Sequence, residues 1–254
     1  MAKQSNPLNT RENQGVETPM PDFLKKGSGL GNENVSSKDL VIPRLAIVQS
    51  QSPELDADNA EKFIVGAKIG QLFNTLTREA FDTVLLVDCF FRKEFTVFVK
   101  RTAGGGFRGA YPTQNEAVKF IESQEKPGEL EVQETALHFC LVVDPNTLEP
   151  LAELVVPCTS TKLKVSRTWN SMIRMRSGDG GDRFSGCWSL GTQKQKNDKG
   201  TFYNFTVAPG PWVTEALYQR AKLTYEAVST GLRDVDRTTD DGEIPETNTD
   251  APKF

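Results

Sequence analysis

The chain has 254 residues, a hydrophobic share of 37% and a formal net charge of −4, which gives room for one domain of ordinary to large size. The low apolar share comes from two polar ends rather than from the middle. No run of about 18 apolar residues occurs, and Met1-Ala-Lys-Gln-Ser-Asn-Pro lacks the apolar core of a secretory leader, so a soluble cytoplasmic protein with no membrane partner is expected.

Residues 1–38 are rich in Asn, Ser, Gly, Pro and charge without a sustained period, and read as a flexible arm. Residues 39–232 form the folded domain, and residues 233–254 a disordered acidic tail. The first ordered element is a strand over residues 40–48, confined to an edge or a bend by Pro43. After a polar connection, residues 69–74 and 81–91 read as paired strands, followed by a further strand over 95–101. Ala103-Gly-Gly-Gly-Phe-Arg-Gly109 reads as a flexible loop, and residues 113–125 as a short surface helix. Residues 137–143 and 151–156 make a hairpin around Asp144-Pro-Asn-Thr147. The next segment, residues 159–176, is an amphipathic basic helix, and two strands, 188–196 and 201–207, then flank Asn197-Asp-Lys-Gly200, a turn that tolerates left-handed backbone. A last helix starts at Pro211 and stops at Gly231. A helix between a third strand and a closing hairpin predicts a mainly β fold: a five-stranded oligonucleotide-binding barrel with a C-terminal helix.

Charge is unevenly placed. From Asp234 onward, seven acidic residues face only Arg237 and Lys253, whereas residues 156–204 hold nine Lys and Arg against Asp179, Asp182 and Asp198. A basic body with an acidic tail predicts a polyanionic partner, because each neutralised phosphate releases condensed counterions.

The residues of catalysis are sparse. The single histidine, His138, lies in an apolar strand and reads as structural. The Gly104–Gly106 run lacks the context of a phosphate loop. Asp82, Asp88, Glu94 and Asp144 are scattered over strand ends and turns, so no metal or other cofactor is expected. Cys89, Cys140, Cys158 and Cys187 form no Cys-x-x-Cys pair and read as reduced core residues. The expectation is a binding protein and not an enzyme.

Single-strand binding needs cations along the phosphates and aromatic faces for unstacked bases. Strand alternation places Phe95, Val97 and Val99 on one face and Phe98 with Lys100 on the other; it likewise turns Tyr203, Phe205 and Val207 inward and Phe202 outward. Phe98 and Phe202 are thus the candidate stacking platforms. Lys100, Arg101, Arg108, Lys162, Lys164, Arg167, Lys194, Lys196 and Lys199 are the candidate phosphate contacts. Trp169 reads as core or as part of the site, and Trp188 as buried. In the tail, Asp240, Asp241, Glu243 and the terminal Phe254 suit docking on the protein's own basic groove or on basic pockets of partner enzymes.

Ile42-Pro-Arg-Leu with Gln49-Ser-Gln-Ser-Pro-Glu54, Phe73-Asn-Thr-Leu-Thr77, Pro157 through Ile173, and Gln195-Lys-Asn-Asp-Lys-Gly-Thr201 together make residues 41–231 resemble the single-stranded DNA-binding proteins of tailed bacteriophages. The resemblance implies a barrel that coats single strands in the host cytoplasm during phage replication, recombination and repair, with an acidic tail contacting polymerase, helicase or primase. Lys253 before Phe254 departs from the family pattern, in which acidic residues crowd the last aromatic. Homo-oligomerisation is left open. The alternatives are a single-strand annealing recombination protein and a non-enzymatic phage factor that makes protein contacts alone.

Overall fold

The computed structural model describes residues 30–36, 40–198 and 200–235. Residues 30–36 form a local turn closed by Val35 N–H donating to Asn32 O (3.1 Å). From Leu40 onward the chain is a separate unit and is mainly β, with nine strands and three helices among the described residues.

Its frame is β4 (Val84–Val99) and β6 (Leu130–Val143), paired antiparallel along nearly their whole length. The β-branched and aromatic content of Val-Leu-Leu-Val-Asp-Cys-Phe-Phe-Arg-Lys-Glu-Phe-Thr-Val-Phe-Val suits a continuous 16-residue strand. The two strands expected over 81–91 and 95–101 are therefore one, bent at an irregularity between Asp88 and Phe90. On the β6 side follows β7 (Pro150–Thr159). On the other side follow β8 (Gly186–Asn197) and β9 (Gly200–Trp212), giving the order β7-β6-β4-β8-β9. The glycine-containing segment after residue 103 is only in part a loop: β5 (Phe107–Tyr111) pairs with the far end of β4.

Turn and cap chemistry agrees with these boundaries. Asp144 Oδ1 accepts from Asn146 N–H (2.7 Å) and Thr147 N–H (3.0 Å), which folds the β6–β7 turn. The hairpin joining β8 and β9 turns between Asn197 and Gly200, with Gly200 at φ +132°. Helix α1 (Gln114–Glu122) is capped by Thr113, whose side chain accepts from Glu116 N–H. Helix α2 (Lys162–Ser177) ends at Gly178, φ +73°. The last helix, α3 (Glu215–Ser229), opens at Thr214 rather than at Pro211, because β9 runs on to Trp212 and the Thr214 side chain accepts from Leu217 N–H.

A second, three-stranded sheet is formed by β1 (Leu45–Ile47), β2 (Leu72–Asn74) and β3 (Ala80–Phe81). It lies between the two edges of the main sheet. Val155 N–H of β7 donates to Pro43 O (2.8 Å), while the Gln49 side-chain amide donates to Tyr203 O of β9 (2.8 Å) and accepts from Tyr203 N–H (2.9 Å). A closed five-stranded barrel is therefore not what the described residues form: β7 and β9 do not pair, the sheets stay open, and residues 43–49 fill the gap with a few bonds instead of a ladder.

The main sheet buries both faces. Inward, Leu86, Cys140, Leu154, Val156, Trp188, Leu190 and Phe205 pack with Leu45 and Leu72 of the small sheet and with Trp169 and Ile173 of α2. Outward, Val87, Cys89, Leu141 and Cys187 pack under Leu217 and Ala221 of α3, and Phe139 and Val155 pack with Val228 and Val235. All four cysteines are free and buried. Burial raises the Cys140 thiol well above its ordinary range and pushes Cys187 up to about 11.

Candidate nucleic-acid interface

Helix α2 carries five basic residues and no acidic one in the sequence Lys-Leu-Lys-Val-Ser-Arg-Thr-Trp-Asn-Ser-Met-Ile-Arg-Met-Arg-Ser. Ser166, Trp169 and Ile173 point into the core, so Lys164, Arg167, Thr168, Ser171, Arg174 and Met175 form the solvent-facing stripe. Two of the lysines sit in the first turn, where the helix dipole already presents positive potential and where Asp or Glu would be favourable. That placement concentrates positive charge against local stability.

The helix is held by a buried polar network. His138 of β6 is fully buried; its Nδ1 lies 2.6 Å from Asp88 Oδ2 of β4 and its Nε2 lies 2.7 Å from Ser166 Oγ of α2. Arg183 grips Asp88 with two bonds, Nε to Oδ1 (2.8 Å) and Nη2 to Oδ2 (2.6 Å), and Nη2 also donates to Asn170 Oδ1 (2.6 Å). The Trp169 ring stacks on the His138 ring at 4.3 Å. Burial lowers the His138 pKa and outweighs the carboxylate beside it, so the ring is neutral, donates from Nδ1 to Asp88 and accepts from the Ser166 hydroxyl. Burial would raise the Asp88 carboxyl, but Arg183 and His138 reverse this and hold it below its usual value.

Ser166, His138 and Asp88 have the connectivity of a nucleophilic triad. Ser166 is only 2% exposed, however, and lies beneath the helix that bears it. The arrangement pins α2 to the sheet and offers a substrate no access. Among the described residues, no three His, Cys, Asp or Glu side chains come together to hold a metal.

The candidate platforms do not face solvent. Phe98 is 8% exposed and packs edge-on against Phe107 at 5.8 Å, because β5 covers the strand face that alternation assigned to solvent. Phe202 is 7% exposed, on a strand where Asn204 and Phe205 are buried as well, so alternation along β9 does not separate an inner from an outer face. Both are corrected to core residues. Trp169 and Trp188 are core residues too, and neither indole N–H finds an acceptor among the described residues.

The cations fall in three groups. Lys100, Arg101 and Arg108 are exposed at the far end of β4 and on β5, with Lys100 Nζ donating to Gly128 O (2.7 Å). Lys164 and Arg167 are exposed on α2, and Lys162 is half-buried with its Nζ 5.3 Å from the Phe205 ring centroid. Lys194 and Lys196 are exposed on the β8–β9 hairpin. Lys199, Asp240, Asp241, Glu243 and Phe254 lie outside the described residues. The hairpin and the β5 group lie toward opposite ends of β4, since β8 pairs with Val84–Val87 and β5 with Phe95–Phe98.

The first two turns of α2 touch both sides. At its start, Asn204 Nδ2 of β9 donates to Thr161 O (3.4 Å). Further along, Arg167 approaches Glu134 of β6 (3.9 Å), which also pairs with Lys93 of β4 (2.7 Å) and stands opposite Phe95, itself opposite Tyr111 of β5. Sequence reasoning missed Lys93, and it read Arg174 as part of the helix's positive charge without counting it among the candidate contacts. Lys93 shares an alternation class with Phe95 and Val97, and nothing local separates an exposed lysine from buried neighbours there.

No helix among the described residues is long and apolar enough to cross a membrane. No curated protein and no solved structure matches the chain. The model of one family, described as Pam3 phage gp34-like protein, matches residues 11–233. The chain therefore belongs to the Pam3 phage gp34-like protein family, and with it to the proteins of bacteriophages.

Proposed function

We propose that this protein binds single-stranded DNA through the outward face of α2 and the basic segments at its two flanks. The acid-free helix carries the reading: of its five cations Lys164, Arg167 and Arg174 face solvent, on a helix pinned by the Asp88, His138 and Arg183 network. Topology supports it. Counting β4, β6, β7, β8 and β9 as five strands, α2 falls between the third and the fourth, as in an oligonucleotide-binding barrel, a fold that is itself partly open. In that fold the loop between strands 1 and 2 and the loop between strands 4 and 5 embrace the ligand. Here those segments bear Lys100, Arg101 and Arg108, and Lys194 and Lys196. Coating of single strands in phage replication, recombination and repair is the role this binding serves, with the acidic tail recruiting partner enzymes.

The test is fluorescence anisotropy of a labelled oligo-dT with the full chain at 50 and 200 mM salt. Neutralising four or more phosphates predicts a loss of affinity of roughly 50-fold over that range. Absence of binding at 50 mM salt, or affinity indifferent to salt, rejects the reading.

A further inference from the structure

Of the three tryptophans, Trp169 and Trp188 are 1% and 2% exposed, whereas Trp212 is 56% exposed. Trp212 ends β9, where Pro209-Gly-Pro-Trp212 leaves the sheet opposite Gly186. Its ring is backed by Arg176 of α2, whose guanidinium carbon lies 4.2 Å from the Trp212 centroid and 5.5 Å from that of Trp188. Arg176 is fixed in turn: it donates to Cys187 O (3.2 Å) and to Gly210 O (2.8 Å). A large aromatic is thus held by a fixed cation on one side and left open to solvent over more than half its surface.

Its position relative to α2 gives this meaning. Strand β9 runs alongside the helix, touching its start through Asn204 and Thr161 and its end through Gly210 and Arg176. The stripe of Lys164, Arg167, Ser171 and Arg174 runs about 15 Å along the helix and ends within one turn of Arg176, which turns to the sheet-facing side of α2 and carries Trp212 there. The stripe itself bears no acidic side chain, its last cation Arg174 pairs with the exposed Asp179 (3.0 Å), and Met175, the neighbour of Arg176, is 84% exposed. Positive charge with a polarizable thioether and an open indole fits a polyanion carrying flat aromatic groups, that is, an unpaired strand, better than an acidic or apolar peptide.

We infer that Trp212, backed by Arg176, is a stacking platform for an unpaired nucleobase at the C-terminal end of α2. The inference rests on the single-strand reading above and adds to it an aromatic face in place of Phe98 and Phe202. Base stacking on aromatic side chains typically changes affinity by roughly 5- to 150-fold per base.

The experiment titrates the full chain with labelled oligo-dT and reads anisotropy and tryptophan emission together, for the wild type, Trp212→Phe, Trp212→Ala and the control Leu223→Ala, an exposed residue of α3. Wild-type emission should be quenched on binding. Trp212→Phe should bind within about threefold of wild type while losing the quench, Trp212→Ala should bind at least fivefold more weakly, and Leu223→Ala should match the wild type. Quenching that persists in Trp212→Phe, or wild-type affinity in Trp212→Ala, overturns the platform and leaves single-strand binding standing. Failure of the wild type itself to bind overturns both.

Discussion

His138 is the side chain on which most of the buried polar chemistry converges, and it is the only histidine in the chain. Its environment lowers its pKa below the ordinary 6.5. An unfolded chain thus takes up a proton near pH 6.5 that the folded one refuses, so the stabilising contribution is complete above that pH and is lost as pH falls below it. Unfolding midpoints in urea should fall as pH is lowered from 7 toward 5, with stability rising with pH across that window. In His138→Gln this slope should largely vanish. Asp88→Asn at pH 7 should cost about 3–5 kcal/mol, since it strips Arg183 of its carboxylate inside the network. The apolar strand around His138 is enough to read the ring as structural. Its partners are not legible, because Ser166 and Arg183 reach it across long sequence separations from a helix and a turn.

At the scale of elements, alternation and capping locate nearly every strand and helix, including α2 and the β8–β9 hairpin. They fail where two faces of one strand are both covered. Phe98 lies beneath β5, whose glycine-containing segment looks like a loop in sequence, and α3 covers one face of a sheet that α2 and the small sheet cover on the other. Strand parity distinguishes faces but does not say which of them meets water. The helical period of α2 is more informative, since its buried residues point one way and Lys164, Arg167 and Arg174 the other. Reversing two of those charges, Lys164→Glu with Arg167→Glu, should weaken oligo-dT binding at least tenfold at 50 mM salt and lower the salt slope by more than one unit, with the melting temperature little changed because both residues are exposed.

For the whole molecule, a net charge of −4 coexists with a basic helix face because the acidic residues from Asp234 onward are concentrated at one end of the chain. Under the proposed function that tail competes for the same cations as the nucleic acid. Deleting residues 236–254 should tighten oligo-dT binding at 50 mM salt by several-fold and make little difference at 200 mM, where charges are screened over about 7 Å. Equal or weaker affinity in the truncated protein at low salt would reject self-occlusion.

The seam between β7 and β9 carries one further consequence. The principal sheet is knit by long ladders, whereas residues 43–49 are stitched in chiefly by Pro43 O and by a single glutamine amide that imitates a strand. A structure sewn this way comes undone at the stitch before the cloth tears: the small sheet should open as a sub-global unit while β4 and β6 remain intact. Gln49→Ala should accelerate amide exchange across Leu45–Ile47 and Leu72–Asn74 and leave the protection of Leu86–Cys89 and Phe139–Leu141 as it was.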